Sequence, residues 1–102
     1  MDKKLPLALK VNDLDNVATV FSNEAKAGSD VEVRDKKGNS FVMQLLNDIP
    51  YGHKVALREV HPGEDIIKYG ESLGEATHEI AAGEYVHVHN LDSKRGRGDK
   101  EG

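Results

Sequence analysis

A chain of 102 residues makes one domain, and a domain of that size buries only about two-thirds of the surface its unfolded chain exposes, so the core is thin. Fourteen basic against eighteen acidic residues leave a net charge of -4, which excludes the cationic field that nucleic acid or an anionic membrane requires. The absence of Cys excludes a disulfide framework and a thiol nucleophile and fits a reducing cytosol, while 37% hydrophobic and 5% aromatic residues with no Trp suit a loop-rich β-domain.

From the N-terminus, Met1 to Leu7 starts with charge and offers no apolar stretch of signal-peptide length. Nothing later approaches a membrane span, so a cytoplasmic protein is expected. Residues 17–21 read as a short strand. Residues 31–34 alternate apolar with charged, as a half-buried strand does. The Gly and Asn of 35–39 then fold that strand back against 41–46 as a hairpin. Residues 55–58, 66–69 and 85–89 are further short strands, and one helical turn is expected over 73–76. The fold class is therefore mostly β. Residues 93–102 carry no apolar side chain and are expected to form a flexible charged tail outside a domain spanning 1–92.

A repeat supports this organisation. Residues 24–28, 59–63 and 79–83 share the form Glu, apolar, two variable positions, Gly. In the last two copies Glu64 matches Glu84 and Ile66 matches Val86 at the same 20-residue offset. An apolar residue anchors the incoming strand, Gly supplies a turn conformation that a β-carbon would hinder, and the next strand begins.

Histidine dominates the candidate chemistry, with five in the chain. Strand periodicity puts His87 and His89 on one face and Val86 and Val88 on the other. Two imidazoles so placed can ligate a divalent metal or present an acid and a base to one substrate, though a wet strand face also accounts for them. His53 and Lys54 follow a Pro50-Tyr51-Gly52 turn, where the pair can bind a carboxylate or stabilise an enolate, or simply stand exposed at a strand entrance. Asp15 and Asn16 precede the first strand as ligands or as a turn cap. His61 and His78 fall in loops and are expected to be solvent-exposed. Arg95, Arg97 and Asp99 lack the helix and Lys-Ser/Thr of a phosphate loop, leaving a solvated tail or an arm that engages carboxylates on a partner or substrate.

Taken together, the strings Ile49-Pro50-Tyr51-Gly52-His53-Lys54-Val55-Ala56-Leu57, Ile67-Lys68-Tyr69-Gly70-Glu71 and Gly83-Glu84-Tyr85-Val86-His87-Val88-His89-Asn90 resemble the N-terminal SAF domain of altronate and galactarate dehydratases. Asp15-Asn16-Val17-Ala18 and the Arg95 to Asp99 tail are similar to that family as well. The chain departs from the plainer family pattern in its 35–39 hairpin and in Tyr51, where Phe or Leu is expected. The resemblance implies a β-clip fold and a small-subunit plan, also used by sulfolactate sulfo-lyase, in which a separate large catalytic subunit completes the enzyme. It implies a sugar-acid hydro-lyase inactive as the isolated chain, with Fe2+ or Mn2+ in the assembled enzyme.

On that basis His87 and His89 are candidate metal ligands and His53 a substrate or acid-base residue. Lys54 is a candidate charge stabiliser, and Asp15, Asn16, Arg95, Arg97 and Asp99 are candidate substrate or partner contacts. The competing reading is a non-catalytic β-clip module that recognises a sugar acid or regulates a protein partner.

Overall fold

A computed structural model describes residues 5–92. The expected tail at 93–102, with Arg95, Arg97 and Asp99, lies outside the described residues. Among the described residues every regular element is a strand: β1 (Leu7–Lys10), β2 (Val17–Val20), β3 (Asp30–Asp35), β4 (Ser40–Gln44), β5 (Lys54–Ala56), β6 (Asp65–Lys68), β7 (Glu71–Ala76), β8 (Tyr85–Val86) and β9 (Leu91–Asp92). The mostly-β, SAF-type expectation holds.

Six strands form one sheet in the order β4-β3-β1-β2-β5-β8, and three form a second in the order β6-β7-β9. Within the larger sheet β1 and β3 run parallel and the other neighbours antiparallel. The hairpin expected at 35–39 is present. Asp35 N–H donates to the Asn39 carbonyl, Gly38 sits at φ +93°, and Asp35 Oδ1 accepts the N–H groups of Lys37 and Asn39.

The larger sheet is buried on both faces at β2 and most of β5, which are Val- and Ala-rich, while its β4 edge is largely exposed. Ala8, Ala18, Val20, Val31, Val33 and Val55 point to one side, where Ala25, Leu45 and Ile49 from loops cover them. Val17, Ala56 and Val86 point to the other, against Ile66 and Ala76 of the second sheet and Val60 and Ile80 between strands. Splitting so few apolar side chains between two small cores lets a 102-residue chain enclose both.

The repeated Gly turn is a real structural unit. In it the residue after the glycine donates back three positions: Ser29 N–H to Lys26 O, Glu64 N–H to His61 O and Glu84 N–H to Ala81 O. Gly28, Gly63 and Gly83 have φ between +87° and +92°, the left-handed position of a type II turn. Each glycine N–H then bonds the carbonyl of a residue in or just after a strand, whose own N–H returns to the residue after the glycine: Leu45 for Gly28, Ala76 for Gly63 and Ala56 for Gly83.

A fourth copy escapes the Glu-based pattern because Asp48 replaces Glu. Ile49 is its buried anchor, Gly52 its turn glycine at φ +84°, and Val20 its strand partner. The units associate in pairs, Ile49 N–H bonding the Ala25 carbonyl while Val60 and Ile80 bond reciprocally. His53 therefore occupies the post-glycine position held elsewhere by Ser29, Glu64 and Glu84.

Two expectations are corrected. Residues 73–76 are strand, because β7 pairs on both sides with β6 and β9 and this ladder outweighs weak local helix preference. The 85–89 strand stops at Val86: Asn90 Oδ1 accepts the His87 N–H, its Nδ2 donates to the Tyr85 carbonyl, and its N–H donates to the His87 carbonyl, bending 87–90 into a turn. Strands β1, β7 and β9 are additional to those read from the sequence.

Candidate functional site

The turn unit 48–52 delivers His53 beside β5, and the β5–β8 ladder sets Val55 opposite Tyr85. Tyr85 packs its ring on the first core while its hydroxyl reaches His53 Nδ1 at 3.0 Å. The phenol donates in this bond when the imidazole carries its proton on Nε2. The turn held by Asn90, itself 2% exposed, then folds the two remaining imidazoles onto the same phenol. His87 stacks on Tyr85 with centroids 5.7 Å apart and planes 6° apart, and His89 approaches at 5.5 Å, tilted by 54°. His53 meets His87 edge-on at 5.0 Å. His87 and His89 each lie against Tyr85, brought there by a turn and not by the strand alternation expected from the sequence.

Within this cluster the surroundings of His87 favour its neutral form. Desolvation, then the charges of His53, Lys54 and His89, push the His87 pKa below its ordinary 6.5. Lys54 is half-buried, and desolvation followed by the charge of Lys68 pulls it below its ordinary 10.5. Lys54 pairs with Thr19 on one side and Val86 on the other, so strand alternation sends it to the face opposite Tyr85. His53 and Lys54 are thus sequence neighbours whose side chains flank the sheet near its short β8 edge.

Asp15 and Asn16 stand at the junction of the two sheets. Asp15 Oδ1 accepts the Gly70 N–H and Oδ2 the Asn12 N–H, while Asn16 Oδ1 accepts from Ile67 and Nδ2 donates to the Asp65 carbonyl. Both are buried, and their side chains clamp β6 and its following turn to β2. They also sit in the wall of an open cleft of about 450 Å3 that Lys10, Phe41, Leu57 and Arg58 help line. Their side-chain hydrogen bonds among the described residues go to Asn12, Gly70, Ile67 and Asp65, and none reaches an imidazole.

Of the loop histidines, His61 is exposed as expected but bonds Glu79 at 2.9 Å, and with Glu59 forms a group whose ligand atoms lie within 4.8 Å of one another. His78 is exposed beside Thr77 Oγ1. Tyr85, the hub of the cluster, was not singled out from sequence, although it shares the parity of His87 and His89.

A family model described as the altronate/galactarate dehydratase SAF domain matches residues 6–94. The chain belongs to this family. Altronate dehydratase of Escherichia coli K12 is 39% identical over 82 residues, covering 80% of this chain and 15% of that protein. Galactarate dehydratase (L-threo-forming) of the same organism is 39% identical over 79 residues, 76% of this chain and 14% of the relative. The alpha subunit of (2R)-sulfolactate sulfo-lyase from Paracoccus pantotrophus is 46% identical over 57 residues, 56% of this chain and 85% of that subunit. The SAF-domain chain thus spans a small fraction of the dehydratases it resembles and most of a sulfo-lyase subunit. Its context is a lyase family, and among the described residues no helix is long and apolar enough to cross a membrane.

Proposed function

We propose that this SAF domain is the small component of a two-part sugar-acid hydro-lyase, acting in the cytoplasm with a large catalytic polypeptide and inactive without it. The observation that carries this reading is the cluster of His53, His87 and His89 around Tyr85, built by a chain whose relatives are dehydratases and a sulfo-lyase subunit.

The reaction removes a proton from the carbon next to a carboxylate and expels a group from the adjacent carbon. His53 is assigned the acid-base role: with Nδ1 held by the Tyr85 hydroxyl, Nε2 is left to exchange a proton with substrate, and Tyr85 acts as a positioning residue. Lys54 is assigned to stabilise the charge that builds on the carboxylate side, since a half-buried ammonium acts there with less screening than one in open water. His87 and His89 are the proposed ligands for Fe2+ or Mn2+. Neutral imidazole is the ligating form, and the environment of His87 favours it. The imidazoles encircle Tyr85 without forming a converging group of three among the described residues, so this donor set fits a metal only if further ligands come from the large component. When bound, such a cation supplies Lewis-acid stabilisation of the developing enolate. Arg95, Arg97 and Asp99 are proposed contacts to the large component, and Asp15 and Asn16 serve the site by holding the two sheets in register.

Co-expression with a large dehydratase subunit, followed by assay of altronate, galactarate and sulfolactate with iron or manganese, tests the proposal. Activity in the mixture and in neither component alone is expected. A chain that neither associates nor supports turnover would leave the β-clip binding module as the better account.

A further inference from the structure

Strands β6 and β7 meet at a two-residue connection, Tyr69-Gly70, which closes the pair Lys68 and Glu71. Both residues have positive φ, +58° and +75°, the signature of the mirror-image hairpin turn that sequences normally fill with Asn-Gly or Asp-Gly. Tyr69 is the one non-glycine residue with positive φ among the described residues, and the left-handed conformation is unfavourable for so bulky a side chain. Its ring is 59% exposed, so core packing does not offset the strain.

The turn is held from outside. Asp15 Oδ1 accepts the Gly70 N–H at 2.8 Å, and the Asn12 side chain lies so close that a Cβ on Gly70 would stand 2.9 Å from its Nδ2. The same two residues shape a second turn: Asp15 Oδ2 accepts the Asn12 N–H, and Asn12 Oδ1 accepts the Leu14 N–H. Leu14, on that turn, is 68% exposed. One buried carboxylate thus fixes two turns, and each presents a large apolar side chain to solvent. Rigid presentation of an aromatic and an aliphatic group lowers the ordering cost of binding, as an interface anchor requires.

Leu14 also lines the open cleft of about 450 Å3, whose apolar wall continues through Phe41 and Leu57. Bases accompany this surface although the chain has a net charge of -4: Lys10 and Arg58 line the cleft, and the Lys68 ammonium sits 4.9 Å from the Tyr69 ring centre. The acids of the cleft wall are engaged, Asp13 by Lys37 at 2.8 Å and Asp15 by its two backbone N–H groups. Arg58 reaches its carboxylate partner, Glu64, only at 3.8 Å.

We propose that Leu14, Tyr69 and the adjoining cleft form the docking surface for a larger polypeptide that brings an apolar side chain flanked by carboxylates. The apolar side chain enters the cleft against Leu14 and Phe41, the carboxylates meet Lys10 and Arg58, and Tyr69 anchors the turn beside it. In the dehydratases this chain resembles, a domain of its kind is a small fraction of the whole, so a larger body of protein accompanies it. Naming the large component of the lyase as the partner rests on the function proposed above.

The test measures binding of the full 102-residue chain to a purified large dehydratase subunit by isothermal titration calorimetry, with melting temperatures alongside. Tyr69→Asn installs a residue suited to the left-handed turn, so the variant should melt at or above the wild-type temperature. Its binding should nevertheless weaken about 30-fold or more, the scale of an interface anchor. Leu14→Ser should leave melting unchanged and weaken binding about ten-fold. Lys10→Glu and added salt should each weaken binding, and an affinity indifferent to both would overturn the carboxylate contacts. Undiminished binding by the folded Tyr69→Asn variant would overturn the surface and leave the lyase reading standing. A wild-type chain that does not bind would overturn both. Binding that falls as expected in a complex without turnover would uphold the surface and reject the lyase reading.

Discussion

Asn90 is the residue on which the histidine arrangement hangs, and replacing it with Ala separates cluster geometry from mere composition. The wild-type amide closes the 87–90 turn with two side-chain bonds, 3.0 Å from the His87 N–H and 2.9 Å to the Tyr85 carbonyl. Both are partly buried, so each lost bond costs about 1 kcal/mol and the pair about 2 kcal/mol. In a domain of this size 1 kcal/mol moves the melting temperature by roughly 4–8 °C, giving an expected fall of about 8–16 °C. Asn90→Asp keeps an acceptor for His87 but loses the donor to Tyr85, so it should show about half the fall. Thermal unfolding by circular dichroism gives the magnitude, and imidazole proton shifts of His87 and His89 report whether the rings leave Tyr85. A melting temperature within about 2 °C of wild type, with unchanged imidazole shifts, would refute the assignment of the turn to Asn90.

Three further outcomes follow from the same structure. Gly63→Ala meets open space and should cost about 1–2 kcal/mol for its left-handed φ of +89°, whereas a Cβ at Gly83 collides with the Gln44 carbonyl and should cost more than about 4 kcal/mol; equal chemical-denaturation midpoints would contradict the close approach. Asn16→Leu removes the side-chain hydrogen bonds to the Ile67 N–H and the Asp65 carbonyl and should destabilise by about 2–5 kcal/mol, read by urea unfolding. In an NMR pH titration His61, raised by its hydrogen bond and charge attraction to Glu79, should titrate above 6.5 and His87 below it. The His61 contribution to stability is therefore complete below pH 6.5 and lost as pH rises through its raised value, while that of His87 is present above 6.5 and lost as pH falls through its lowered value. Reversed midpoints would be incompatible with the geometry.

The parts of this architecture visible in the sequence are those written in local chemistry. Alternation at 31–34, the Gly38-Asn39 turn and the post-glycine strand starts each follow from one stretch of chain, and the hairpin and turn units formed where expected. Long-range pairing was harder to see. Residues 73–76 have no strong strand signature and become β7 only because β6 and β9 flank them. The Tyr85 to His89 alternation mimics a strand, and the side chain that ends it, Asn90, acts through backbone groups that no spacing rule reveals. His53, His87 and His89 were legible as candidates by residue type, but their common centre, Tyr85, required the β5–β8 register. Asp15 and Asn16 were visible as polar residues before a strand, and only their partners on β6 and in the following turn define what they hold.

The central claim is that this SAF domain contributes working groups to a lyase site. It is tested most directly by turnover of the complex reconstituted from the large component and the His53→Ala chain, with association checked by size-exclusion chromatography. The account predicts an intact complex whose kcat falls by about 100-fold or more, the usual cost of losing a general acid or base. An intact complex turning over at the wild-type rate would contradict it.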